Sequence, residues 1–126
     1  MPSTASLSPA LRAMAVSRAF AGASSWISPR HAWRFFLLGP MPDAGSTALV
    51  SRLFGIRDLV LALGLGHSDP AVRRAVLAAG VVVDSADVVA AALALRSGAP
   101  RAGLLAAAAG AGTFVVIGAT ALAHSD

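Results

Sequence analysis

Residues 102–123 read AGLLAAAAGAGTFVVIGATALA, with no charged side chain among them. A helix of this length, at ~1.5 Å per residue, covers about 30 Å, the thickness of a bilayer's hydrocarbon core. FVVIG alone would suit a strand, but the run is too long for one and never alternates with polar residues. In lipid a helix satisfies its own backbone hydrogen bonds, so the stretch predicts a membrane-spanning helix. Its glycines, Gly103, Gly110, Gly112 and Gly118, and small-residue pairs such as Ala106/Gly110 and Ala108/Gly112, suit close packing against neighbouring helices. The GAG at 110–112 lies within the helix rather than between a strand and a helix, which argues against a phosphate loop.

Three more helices follow on working back towards the N-terminus. Residues 71–95 form one, with Ser68 or Asp69 of HSDP as the cap and Pro70 in its first turn. Arg96, Ser97, Gly98 and Pro100 close it. GVVV at 80–83 would again suit a strand, but it too lies in a long run without alternation. Residues 47–65, TALVSRLFGIRDLVLALGL, form another, ended by Gly64 and Gly66. Residues 8–27 form the first, opened by Ser8 and Pro9 and ended before Pro29. The intervening segment, 28–46, contains Pro29, Pro40 and Pro42 and cannot be one long helix. Its Trp33, Arg34, Phe35 and Phe36 mix rings with cations, as the headgroup zone favours. A short interfacial helix is expected there, around 30–38. The expected fold is therefore an all-α, up-down four-helix transmembrane bundle, a single domain, with an interfacial helix after the first span.

Composition bears on the same reading. The 126-residue chain is 56% hydrophobic and 13% charged, with mean hydropathy +0.73; an average soluble domain is about 25% charged. So short a chain cannot hide this much apolar surface in one water-facing globule. An alanine-rich soluble bundle is the competing reading, and the charge-free run at 102–123 counts against it. Absence of cysteine excludes disulfides, thiolate nucleophiles and thiol–metal sites. All ten cations are arginine and all six acids aspartate. With the wealth of Ala, Gly and Val, that is the residue usage of a high-GC bacterial genome, and the expected location is a bacterial inner membrane.

The net charge of +4 is carried by scattered arginines, not by a basic cluster alternating with aromatics. That pattern argues against nucleic acid and fits membrane-flanking charge. The first 42 residues carry no acid, as in a transit peptide. Trp26, Trp33 and RFFLLG nevertheless read as structure, and Arg12 and Arg18 interrupt any secretory apolar run, so the segment is expected to stay in the mature protein. Arg30, Arg34, Arg96 and Arg101 flank the first and third connections, against Arg12, Arg73 and Arg74 on the other side. The counts are too close for the positive-inside rule to decide, and lean towards those connections facing the cytoplasm.

Two aspartates, Asp84 and Asp87, interrupt the otherwise apolar stretch GVVVDSADVVAAALAL, 80–95. Three apart, they share a helix face. A carboxylate facing lipid costs several kcal/mol, so both are expected to face the bundle interior, to be protonated or to find arginine partners. Counting depth from the 66–70 turn places Asp84 and Arg52 each about 21 Å down, with Asp87 one turn deeper. Asp58 falls at about 12 Å and Arg18, counted from Pro9, at about 13 Å, with Arg57 beside them. Two charge layers are expected: Arg18, Arg57 and Asp58 in one, and Arg52, Asp84 and Asp87 in the other. Three cations then balance three anions, as a low-dielectric interior requires.

Such a network has three readings: a lock fixing helix register, a polar pocket for an amphipathic ligand, or an acid–base site with Asp84 as the central carboxyl. His31, His67 and His124 lie in loops or the tail, and one histidine with Asp69 does not make a metal site. Ser85 has no histidine near it in sequence, so a nucleophilic serine is unsupported. No metal or cofactor is implied.

The order of features is similar to a known family. An arginine-containing helix ends in SPR, an aromatic interfacial stretch follows, then RLFGIRDLVLALGL, then VDSADVVAAALAL, then an apolar helix. From about residue 11 to 123 the chain resembles the small four-span membrane proteins of domain-of-unknown-function family 4267, DoxX-like in outline. RLFGIRD followed by the paired aspartates is the most specific part. The resemblance implies the four-span architecture and no activity. The expected function is a non-enzymatic accessory or ligand-binding membrane protein. Its partners would be the bilayer, a hydrophobic small molecule or a membrane protein, including a second copy, but not nucleic acid. The alternative is a membrane enzyme acting on an isoprenoid-like substrate through Asp84 or Asp87. A third reading is an oligomeric transporter or proton path.

Overall fold

The computed structural model describes residues 7–39, 41 and 45–124. Five helices make up the described chain: α1 (Pro9–Ile27), α2 (Pro29–Phe35), α3 (Ser46–Leu65), α4 (Pro70–Arg96) and α5 (Arg101–His124). Among the described residues there is no strand. Pro40 and Pro42, expected to break the first connection, lie outside the described residues.

Capping chemistry explains the helix ends. Ser8 accepts from the Leu11 amide at 3.3 Å, and Asp69, rather than Ser68, accepts from the Ala71 amide at 2.8 Å. Each satisfies an amide that the helix cannot. Helices α2 and α4 end alike. Leu38 N–H reaches back to Trp33 O and Leu37 N–H to Arg34 O; Ala99 N–H reaches Ala94 O and Gly98 N–H reaches Leu95 O. Such closure needs a left-handed residue after the cap, usually glycine. Gly98 (φ 83°) obeys this, whereas α2 uses Leu37 (φ 63°).

The four long helices run up and down in two intimate pairs, α1 with α3 and α4 with α5. The first pair touches backbone to backbone. A Cβ on Gly22 would lie 2.6 Å from the Gly55 carbonyl oxygen, and one on Gly55 2.7 Å from that of Gly22. Further along the seam, Ser51 Oγ donates to Ser25 O at 3.3 Å. Gly118 makes room for Val81 between α5 and α4, and Gly64 for Val76 between α3 and α4. Around the bundle the order is α1, α3, α4, α5. Helices α1 and α4 are diagonal, their Cα traces nowhere within 8 Å. The small-residue pairs expected in α5 do not mediate this packing, since a Cβ on Gly110 or Gly112 would meet nothing within 4 Å. Gly103 and Gly118, also expected to pack, do face inward, together with Ala111. They recur about every two turns and so hold one stripe, which 110 and 112 do not join.

Buried apolar side chains are few: Met14, Leu65 and Leu77 form the central cluster, flanked by Phe114, Ile117 and Leu122. Helices α4 and α5 are long and apolar enough to cross a membrane, each containing an 18-residue stretch, of mean hydropathy 2.0 and 1.9, most of which lies on the bundle's surface. Helices α1 and α3, expected as spans, do not meet that measure. Arg12 and Arg18 interrupt α1, and Arg52, Arg57 and Asp58 interrupt α3. By length and composition the structure thus contains two candidate spans rather than four.

Candidate functional site

The inner stripe of α1 is Met14, Arg18, Gly22 and Ser25; that of α3 is Ser51, Gly55, Asp58, Leu61 and Leu65; that of α4 is Leu77, Gly80, Asp84 and Ala91. Each repeats at helical spacing, so a charged residue one turn from a glycine is carried inward with it. Arg18, Asp58 and Asp84 meet at the bundle centre, only 2%, 4% and 2% exposed. Arg18 Nη1 donates to Asp58 Oδ1 at 3.1 Å, and Arg18 Nη2 donates to Asp84 Oδ2. The guanidinium also lies over the Phe114 ring, 4.6 Å from its centroid. One side chain of α1 therefore engages α3, α4 and α5 together. Gly80 leaves room for its reach across the diagonal, since a Cβ there would sit 3.3 Å from Arg18 Nη2.

A second pair lies nearer the surface. Arg57 grips Asp87 with both ends of its fork, Nη1 to Oδ1 at 3.1 Å and Nη2 to Oδ2 at 2.8 Å. Both side chains are about a third exposed (33% and 34%). Arg57 stacks on Phe54 at 4.7 Å, and its Nε is buried without a hydrogen-bond partner among the described residues.

The expected layers are thus regrouped. Arg18 holds Asp58 as expected but also takes Asp84, while Arg57 leaves that group for Asp87. Arg52 faces neither aspartate. It is exposed, and its Nε donates to the Trp26 carbonyl at 3.2 Å, at the end of α1. Two causes account for this. Arg52 sits about 100° around α3 from Ser51, off the inner stripe. Helix α4 also begins farther from the centre than α1: Asp84 is fourteen residues past Pro70, yet it meets Arg18, nine past Pro9. Depth counted from a common starting plane therefore misplaced Asp84. The three-against-three balance also changes, because the network now joins two guanidiniums and three carboxylates.

Beside the cluster is a cavity of about 10 Å³ bounded by Met14, Arg18, Leu77, Asp84 and Phe114 among others. It is no larger than about one water molecule requires. The remaining candidates serve local structure. His67 Nδ1 accepts from the Asp69 amide at 3.0 Å while the Asp69 carboxylate caps α4. His31 bonds Ser28, and His124 Nδ1 meets Thr120 O at 2.8 Å. Ser85 is exposed. No three of the His and Asp side chains among the described residues come together as a metal would need. Phe35 packs edge-on against Phe20 and Phe36, each at 5.3 Å.

Sequence reasoning missed Gly22, Gly55, Gly80 and Phe114. Three of them had a signal: Gly22 lies four residues from Arg18, Gly55 three from Asp58 and Gly80 four from Asp84. Each glycine thus shares a face with a buried charge. No family model, curated protein or solved structure matches the chain.

Proposed function

We propose that this is a small multi-pass membrane protein whose α1, α3, α4 and α5 cross the bilayer, with α2 at the interface, in a bacterial inner membrane. Its role is that of a non-enzymatic accessory protein, held in one register by the Arg18–Asp58–Asp84 tie. The family 4267 resemblance belongs to the same proposal.

One observation carries it: the distribution of polarity is inverted. The largest fully buried side chains are Arg18 and Leu65, and the other buried polar groups include Asp58, Asp84, Ser25 and Ser51. Meanwhile Phe20, Leu53, Val60, Leu63, Val82 and Val116 lie outside, 54% to 76% exposed. In water such a surface would be a severe liability, while in lipid it is the expected one. Of the five charges that stop α1 and α3 resembling ordinary spans, Arg18 and Asp58 are buried and Arg57 is half-buried, while Arg12 and Arg52 are exposed; the inward ones support counting these helices with α4 and α5.

Proximity of the cavity to Asp84 is what favours the enzyme reading. Its single-water size is far below the ~300 Å³ or more of a ligand pocket, so the lock is the better-supported role. Stability in detergent tests it. Arg18→Met should cost about 3–5 kcal/mol by stranding two carboxylates, and adding Asp58→Asn and Asp84→Asn should restore part of that loss. An Arg18→Met protein as stable as the parent would contradict the lock.

A further inference from the structure

Because consecutive long helices run antiparallel, the end of α1, all of α2, the start of α3, the end of α4 and the start of α5 gather at one end of the bundle. Two contacts tie them: Arg52 to the Trp26 carbonyl, and Gly103 against Leu37, where a Cβ would lie 2.7 Å from the Leu37 carbonyl oxygen. Arg30, Arg34, Arg52, Arg96 and Arg101 are all exposed here. None forms a salt bridge with a described residue. Asp43, the acid of this connection, lies outside the described residues. At the opposite end stand Arg12, Arg73 and Arg74, with Asp69 among them.

Helix electrostatics account for only part of this set. Arg34 and Arg96 lie in last turns, where the dipole welcomes a cation. Arg30 and Arg101 open their helices, where it does not, and α5 has no acid in its first turn to offset the charge. Around the arginines are exposed apolar side chains: Ile27 (77%), Phe35 (64%) and Leu37 (58%). Leu37 occupies a left-handed position that glycine would fill without strain, yet keeps a large side chain pointing outward.

We propose that this end is a docking surface for anionic phospholipid, its arginines holding headgroup phosphates and Ile27, Phe35 and Leu37 reaching into the acyl chains. The inference rests on the membrane reading above. With Arg52 placed here, five arginines face three, which orients this end to the cytoplasmic leaflet, where anionic lipid is attractive to cations.

The test uses the full chain with phosphatidylcholine bilayers, with and without phosphatidylglycerol. Native mass spectrometry should show selective retention of phosphatidylglycerol, weakened by added salt. Arg30→Gln, Arg34→Gln, Arg96→Gln and Arg101→Gln combined should weaken that retention roughly fivefold per arginine, whereas Arg12→Gln with Arg73→Gln should leave it intact. If the quadruple variant does not assemble, the salt titration of the parent decides: retention insensitive to salt overturns the surface. Insertion into phosphatidylcholine with no preference for phosphatidylglycerol overturns the surface and leaves the membrane reading standing. A protein that stays in solution yet floats with phosphatidylglycerol vesicles overturns the membrane reading and keeps the surface. One that stays in solution and floats with neither lipid overturns both.

Discussion

Arg18 donates to Asp58 and Asp84 from opposite ends of one guanidinium, so the two carboxylates depend on a single cation. Arg52 was the arginine that depth alone matched to Asp84, and the structure makes the contrast testable. Arg52 is exposed and, among the described residues, bonds only the Trp26 carbonyl, one of those a helix end leaves unsatisfied. Arg52→Ala should therefore change stability by only about 0.5 kcal/mol, read by chemical unfolding in detergent beside Arg18→Met. A loss as large as that of Arg18→Met would return Arg52 to the interior. Sequence was informative about which residues form the network: five of its six expected members meet, in two groups. Pairing was not legible, because axial level says nothing about azimuth. Six residues separate Arg52 from Asp58, a rotation of about 240° around α3.

At the level of elements, four long helices and a short one were readable because their ends carry local signals. Ser8, Asp69, Pro9, Pro70 and Gly98 act within a turn of themselves, so no knowledge of the fold is needed to interpret them. Helix contact faces were less readable. The glycine-rich α5 invited a packing role for Gly103, Gly110, Gly112 and Gly118, yet only Gly103 and Gly118 pack, and α1 and α3 meet backbone to backbone at Gly22 and Gly55. Small residues permit close approach wherever they lie, but only a neighbouring helix decides which are used. Gly22→Ala should push α1 from α3 and cost about 1–3 kcal/mol, since the added carbon meets a backbone oxygen. Gly110→Ala should leave stability unchanged or raise it slightly, through the better helix propensity of alanine. Thermal unfolding of both variants checks this, and equal losses would contradict the crossing described here.

For the whole molecule, the inverted polarity links fold to setting. A chain of this length has a small apolar core, and the interior gains definition from ionic and hydrogen-bonded contacts that water would weaken. Two helices, α4 and α5, meet the length and hydropathy of spans; among the charges that interrupt α1 and α3, Arg18 and Asp58 point inward while Arg12 and Arg52 are exposed. Hydropathy summed along a helix cannot make that separation, because it ignores direction, and so the number of spans was the feature least secured by sequence. Since the chain has no cysteine, single reporters can be placed cleanly. Spin labels on Val60→Cys, Val82→Cys and Val116→Cys, one each on the exposed faces of α3, α4 and α5, measure what surrounds the bundle. In reconstituted bilayers all three should be accessible to oxygen dissolved in lipid and shielded from a water-soluble relaxant. High accessibility to the aqueous relaxant at these positions would contradict the account at its centre.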